Sequence, residues 1–442
     1  MTTTAASGVV GKTSTADRLP GKPLLAASSA KEPAPQLLLA TQLIFNLGFY
    51  SVIPFLAVSM REDFGMGALA IGVVLGARTF AQQGLFLLGG AMADRWGARR
   101  GMIIGCWVRI IGYLLLATAS DFPLFLVGAV VSGIGGALFS PALESLVARA
   151  ERNTNNSTSH KPNLFALLVI CGEIGAVAGP LLGALLLGVG FDAALLAGAG
   201  VFAAMSVIFH RFLPRTSVQR REAVPASDVW SCLREKRFLA FAAFFSVNLL
   251  AYNQLYFGLP VELERSGAGT SALAAIFAYA SVLTITLQWP IARLMRRTGA
   301  RCALTTGFAL QAAGFASLST MAVVPPPESV PFLPAGVMVT ALSLGHMCVA
   351  PVAMGLVLDF AAGRPTGAFY GLLSSCGGLA ALAGNMVLGP LYEHASASSL
   401  AAAIPWLLLA LLAATSALTI GRFLPPAAPP VLPACPQDLQ RT

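Results

Sequence analysis

Apolar residues in this chain fill long, nearly uninterrupted runs rather than alternating with polar ones at the period of an amphipathic helix or strand. Twelve such runs fall at about 36–60, 66–93, 101–119, 122–148, 163–189, 192–213, 238–258, 271–295, 302–324, 332–358, 366–391 and 399–421. Crossing the hydrocarbon core of a bilayer takes ~20 mostly apolar residues per helix. A helix also satisfies its backbone polar groups within one segment, as that environment requires. The pattern therefore predicts an all-α membrane protein of about twelve spans.

Composition agrees. Hydrophobic residues make up 56% of the 442 positions, charged residues 11%, and the mean hydropathy is +0.75. A soluble domain carries about twice that charged fraction. The net charge of +9 is explained by topology. With the N-terminus inside and the runs alternating, cytoplasmic segments hold 24 of the 28 Lys and Arg residues. External loops then hold only Arg61 and Arg265, and Arg78 and Arg109 lie within spans. External loops instead carry acids, among them Glu62, Asp63, Asp121, Asp192, Glu262, Glu264, Glu328 and Glu393. This is the positive-inside pattern, and it places the chain in the cell membrane with both termini cytoplasmic. It also removes the reason to read the charge as a nucleic-acid footprint.

The longest internal hydrophilic stretch, 214–237, divides the chain into six runs and six. Three matches recur at near-constant offset. Pro141 pairs with Pro351 (offset 210), Gly97-Ala98-Arg99 with Gly299-Ala300-Arg301 (202), and Cys171-Gly172 with Cys376-Gly377 (205). Such parallel repeats flank a midplane binding site in many transporters. The expected organisation is a disordered cytoplasmic tail at 1–35, a six-helix bundle at 36–213, a cytoplasmic linker at 214–237, a second bundle at 238–421 and a tail at 422–442. Residues 1–35 have no apolar core of a signal peptide. The seven cysteines form no CxxC pair, and neither a metal site nor a disulfide framework is suggested. A loose P-loop match at Ala6–Thr13 lacks the preceding strand that a nucleotide site needs.

The most specific segment follows the second run: Gly89-Gly90-Ala-Met-Ala-Asp94-Arg95-Trp-Gly97-Ala-Arg99-Arg100. Glycine permits a tight reversal, and Asp94 is placed to accept hydrogen bonds from a helix N-terminus. The segment resembles the signature loop of the major facilitator superfamily, G-x-x-x-D-R-x-G-x-R-R. In the fifth run, Gly175-x3-Gly179-Pro180-x2-Gly183 sets small residues four apart, a spacing that lets helices approach closely. It resembles the antiporter signature of the drug:proton antiporter branch. The chain departs from the family in the fourth run. Ala129 stands four residues before Gly133, where the family often carries arginine, and Arg296 stands where a second Asp94 would align. The resemblance implies two six-helix bundles around a central cavity. Runs one, four, seven and ten would line the cavity, and runs two, five, eight and eleven would form the seam.

Ionisable and polar residues within spans are costly and are candidates for function. Glu173 and Arg78 both fall near mid-span, and we expect Glu173 to carry a proton with Arg78 as its cationic partner. Asn46 and Tyr50 lie one turn apart, Gln82 lies one turn from Arg78, Asn253 and Gln254 interrupt the seventh run, and His346 the tenth. Asn46, Tyr50, Gln82, Asn253 and His346 are candidate cavity residues; for several of them an interhelical hydrogen bond is the alternative. Arg109 lies ~12 Å along its helix by rise, within snorkelling reach of the cytoplasm, and is read as structural. With no nucleotide motif, no cofactor and no nucleophile–base pair, the expected activity is not enzymatic. It is proton-coupled export of a small amphipathic organic molecule by a monomer. The alternatives are a facilitator or importer of a polar nutrient, or a membrane receptor or lipid-handling protein.

Overall fold

The computed structural model describes residues 34–425, apart from 87, 90, 91, 93–95, 156–163, 214–229, 269–271, 326, 328, 362–365, 396 and 397. Most of the two expected tails and most of the 214–237 linker lie outside the described residues. In chain order the helices are α1 (Pro35–Tyr50 and Ile53–Glu62), α2 (Ala68–Gly84), α3 (Ala98–Ala117), α4 (Phe122–Asn155), α5 (Leu164–Leu187) and α6 (Phe191–Phe212). They continue as α7 (Lys236–Asn253 and Gly258–Arg265), α8 (Leu273–Thr298), α9 (Ala300–Val323), α10 (Leu333–Ala361), α11 (Thr366–Glu393) and α12 (Leu400–Thr419). A 3₁₀ turn, Trp230–Arg234, precedes α7. No strand occurs among the described residues. Nine of these helices are long and apolar enough to cross a membrane, or ten with the bent α7. The other two fall short for local reasons: α2 has 17 described residues, and α9 is diluted by Thr305, Thr306, Gln311 and Ser317.

α1 and α7, the first helix of each half, are broken at matching places. α7 bends by 43° between its two segments, and α1 is interrupted at Ser51 and Val52. Pro54 and Pro260 open the second segments, where a missing backbone N–H costs little. Both second segments are buried: residues 51–60 and 253–263 have no exposed member. Arg61 bridges them to Glu264 at 3.3 Å, while Arg265 pairs with Glu262 and also donates to Met321 O and Ser398 Oγ. The bundle is thus closed at the Arg61 end.

The duplication seen in sequence is present in packing. α3 crosses α4 at Gly105 and Gly135, where a Cβ on Gly105 would lie 2.8 Å from Gly135 O. α9 crosses α10 at Gly307 and Gly345, with the corresponding approach 2.7 Å. These pairs are offset by 202 and 210 residues, as are the loop glycines and the prolines. Gly97 and Gly299 both adopt φ 86°, a backbone region that side chains disfavour. Between the halves, α2 runs antiparallel along α11 and α5 packs on α8. On the first of these seams, a Cβ at Gly76 would lie 2.8 Å from Leu382 Cα and one at Gly389 2.6 Å from Leu69 Cα. Backbones this close need glycine, and the gain is van der Waals contact that lipid cannot supply.

Candidate functional site

Glu173 is the tenth residue of α5 and remains half-buried. Ser281 of α8 faces its carboxyl group, and Tyr50, Tyr252 and Tyr256 lie within its electrostatic reach. The carboxylate thus faces α8 and lies within electrostatic reach of α1 and α7, helices drawn from both halves. It forms no ion pair with Arg78, so the expected Glu173–Arg78 pair is not made. Rise along each helix places both residues near the middle of their helices, but a rise says nothing of azimuth.

Arg78 of α2 is 5% exposed. It donates to Gln82 Oε1 at 3.2 Å and to Thr79 Oγ1 at 3.4 Å, and its Cζ lies 5.2 Å from the centre of the Phe49 ring. Gln82 thus orients Arg78, one turn away on the same helix. Arg109 does not snorkel; it is 1% exposed. Its guanidinium is enclosed by Phe45, Phe49 and Phe202, with Cζ 4.6, 5.3 and 5.2 Å from their ring centres. The ring faces carry negative potential and favour a cation there. Arg109 also lies against Gly135 and Gly136 of α4. So although α4 has Ala129 in place of an arginine, α3 brings a cation to the α4 surface. Its counterpart in the second half, at offset 202, is Gln311.

Asn253, at the break in α7, is buried rather than lining open space. It donates to Thr79 of α2 at 2.9 Å and accepts from Asn385 of α11 at 2.8 Å. Gln254 donates to Asn385 Oδ1 at 3.2 Å and accepts from Tyr392 at 2.9 Å. The break in α7 frees backbone carbonyls, and Gln254 also donates to one of them, Leu250 O, at 3.1 Å. His346 of α10 meets Asn248 at 3.1 Å and lies 4.4 Å, centre to centre, from the Tyr252 ring; Asn248 in turn accepts from Gln311 at 2.9 Å. Thr79, Asn385, Asn248 and Gln311 were not singled out in the sequence, because short polar side chains in a helix give no signal until their neighbours are known.

The glycine signature of α5 faces α1. A Cβ on Gly175 would lie 2.5 Å from Leu43 O, one on Gly179 2.6 Å from Tyr50 Cβ, and one on Gly183 would meet Ser51 O. Pro180, inside α5, is buried. Asn46 completes this seam by donating to Gly172 O at 2.9 Å. Asn46 and Tyr50 share the face of α1 turned to α5, and Asn46 is an interhelical hydrogen-bond donor. In the loop after α2, Gly90, Asp94 and Arg95 lie outside the described residues. Arg99 donates to Phe209 O at 3.2 Å and to His210 O, at the C-terminus of α6, where a cation complements the exposed carbonyls. Arg100 is exposed beside it. Among the described residues, no group of His, Cys, Asp and Glu is arranged to hold a metal.

The chain matches the family model of the Major Facilitator Superfamily over residues 38–385. An uncharacterised MFS-type transporter of Mycobacterium tuberculosis is 32% identical over 371 residues, covering 81% of this chain and 86% of that protein. The multidrug resistance protein MdtH of Klebsiella pneumoniae is 30% identical over 266 residues, covering 60% of this chain and 65% of the relative. Among solved structures, the nucleoside transporter NupG superposes with a TM-score of 0.68 at 15% identity, covering 88% of this chain and 98% of the other. A POT family transporter in complex with a thioalcohol-conjugated peptide gives 0.69 at 13%, covering 88% and 95%. These last two are similar in fold alone. Helices that repeat as two sets of six among the described residues, and a family match that runs from α1 into α11, lead to one assignment: the chain belongs to the Major Facilitator Superfamily and is a multi-pass membrane transporter, not an enzyme.

Proposed function

We propose that this transporter exports a small amphipathic organic compound in exchange for protons. The halves 36–213 and 238–421 rock about the midplane, with both chain termini on the cytoplasmic side. The observation that carries the reading is the place of Glu173, an acid in the middle of α5 that faces Ser281 and lies within electrostatic reach of three tyrosines drawn from both halves. A carboxylate in that position binds a proton in one state and releases it in another, because its surroundings change as the halves move. Tyr50, Tyr252 and His346 offer apolar faces with polar tips to a substrate of mixed character. The similarity to proteins named for multidrug resistance favours export of organic compounds over uptake of a nutrient.

The test is transport by purified protein in vesicles of known orientation. Inverted and right-side-out vesicles, given a pH gradient of either sign and a panel of labelled organic compounds, separate the readings. Export predicts accumulation inside inverted vesicles whose lumen is acidic. Accumulation of a polar nutrient inside right-side-out vesicles would establish an importer instead.

A further inference from the structure

Two arginines lie buried in the first half without an acid. Arg78 and Arg109 both place Cζ within 5.3 Å of the centre of one ring, Phe49. Nε of Arg78, and Nε and Nη1 of Arg109, have no hydrogen-bond partner. Neither arginine takes part in the ion pairs Arg61–Glu264 and Arg265–Glu262 at the closed end. Buried charges are normally paired, and two of like sign beside one ring repel each other. Aromatic faces soften this but leave the N–H donors idle. Tyr50 and Tyr256, one from each half, lie within electrostatic reach of both Arg78 and Glu173. Arg78 therefore stands beside the place where the halves meet, with an unused donor and an unbalanced charge.

We propose that Arg78, with Arg109 behind it, receives an anionic group of the transported molecule. This rests on reading the chain as a transporter of amphipathic organic compounds, and it names their class: organic anions with a carboxylate or sulfonate on an apolar body. The planar guanidinium matches such oxyanions with paired donors. Phe49, Tyr50 and Tyr256 supply the wall for the apolar part. Arg109, caged by three rings, does not touch the ligand; its field adds to that of Arg78 and makes it a positioning residue.

The test measures binding to the purified full-length protein in nanodiscs of neutral lipid, by ligand-dependent shifts in Tm. The probes share one apolar body: naphthalene-2-carboxylate, naphthalene-2-sulfonate, naphthalene-2-carboxamide and 2-naphthyl-trimethylammonium, with inorganic sulfate as a further arm. The carboxylate and sulfonate are expected to raise Tm saturably, and the amide, the ammonium and inorganic sulfate are not. Arg78→Gln should weaken anion binding about tenfold to a hundredfold, the loss of one charge-assisted contact. Arg78→Lys, which keeps the charge, should recover part of it, so a folded variant is available either way. Arg109→Gln should weaken anion binding by a smaller factor and leave the order of the probes unchanged. The proposal is overturned if no anion raises Tm, if the amide or ammonium binds as well, if sulfate alone gives the full shift, or if Arg78→Gln binds the anions undiminished. Direction and proton coupling do not enter this measurement. An importer would still bind the anions, whereas an exporter that prefers cations would retire this proposal alone.

Discussion

Asn253 donates a hydrogen bond of 2.9 Å to Thr79, joining the break in α7 to the middle of α2 across the boundary between the halves. Asn385 supplies Asn253 in turn at 2.8 Å, so three helices meet at one buried amide. These bonds exist in the state closed at the Arg61 end. Asn253→Ala leaves both Thr79 and Asn385 short of a partner, at a cost of ~1–3 kcal/mol to that state. A cysteine placed at Val58, buried in this state, should then react severalfold faster with a membrane-impermeant maleimide. An unchanged rate would mean that the network does not hold the closure.

The glycines of α5 act first through packing on α1. Gly175→Ala places a methyl 2.5 Å from Leu43 O. Such overpacking costs ~1–3 kcal/mol, because backbone cannot yield as a flexible side chain can. Thermal unfolding of the purified protein should show a clear loss for Gly175→Ala. Gly200→Ala, which meets nothing within 4 Å, should show none. Equal Tm values for the two variants would contradict the seam described here.

Gly97 opens α3 at φ 86° and sets Arg99 on the last carbonyls of α6. Gly97→Ala forces a side chain into a backbone region that costs ~1–3 kcal/mol. Arg99→Ala keeps the turn but removes the bond to Phe209 O. The first should lower Tm more than the second, while both should slow transport if this loop governs the exchange between states. Full transport by both variants would leave the loop a structural connection only.

The helices and their duplication were legible because they depend on composition and period. Most of the membrane helices declare themselves by length and apolar composition, and Gly97, Pro141 and Gly172 reappear at near-constant offsets because the same turns and helices are built twice. Position along each helix was legible as well, since residue count gives it directly. Azimuth was not. Arg78 and Glu173 both lie near the middle of their helices yet face different neighbours, and Arg109, within snorkelling reach of the cytoplasm by residue count, turns inward to three phenylalanines from α1 and α6. Phe45, Phe49 and Phe202 look like ordinary lipid-facing residues until the helices are assembled. Similarly, the glycine stripe of α5 announces close packing, but only the assembled helices identify α1 as its partner.

The central claim is that Glu173 couples transport to protons, and Glu173→Gln tests it most directly. Glutamine keeps the size of the side chain and its capacity to face Ser281, but it cannot ionise. Wild-type and variant proteins are reconstituted into vesicles, and substrate accumulation is followed after a pH gradient is imposed. Counterflow of substrate without any gradient is measured in parallel as the control for folding and binding. The account predicts that the variant retains counterflow yet no longer accumulates substrate in response to the pH gradient. Accumulation by Glu173→Gln equal to that of the wild-type protein would contradict it.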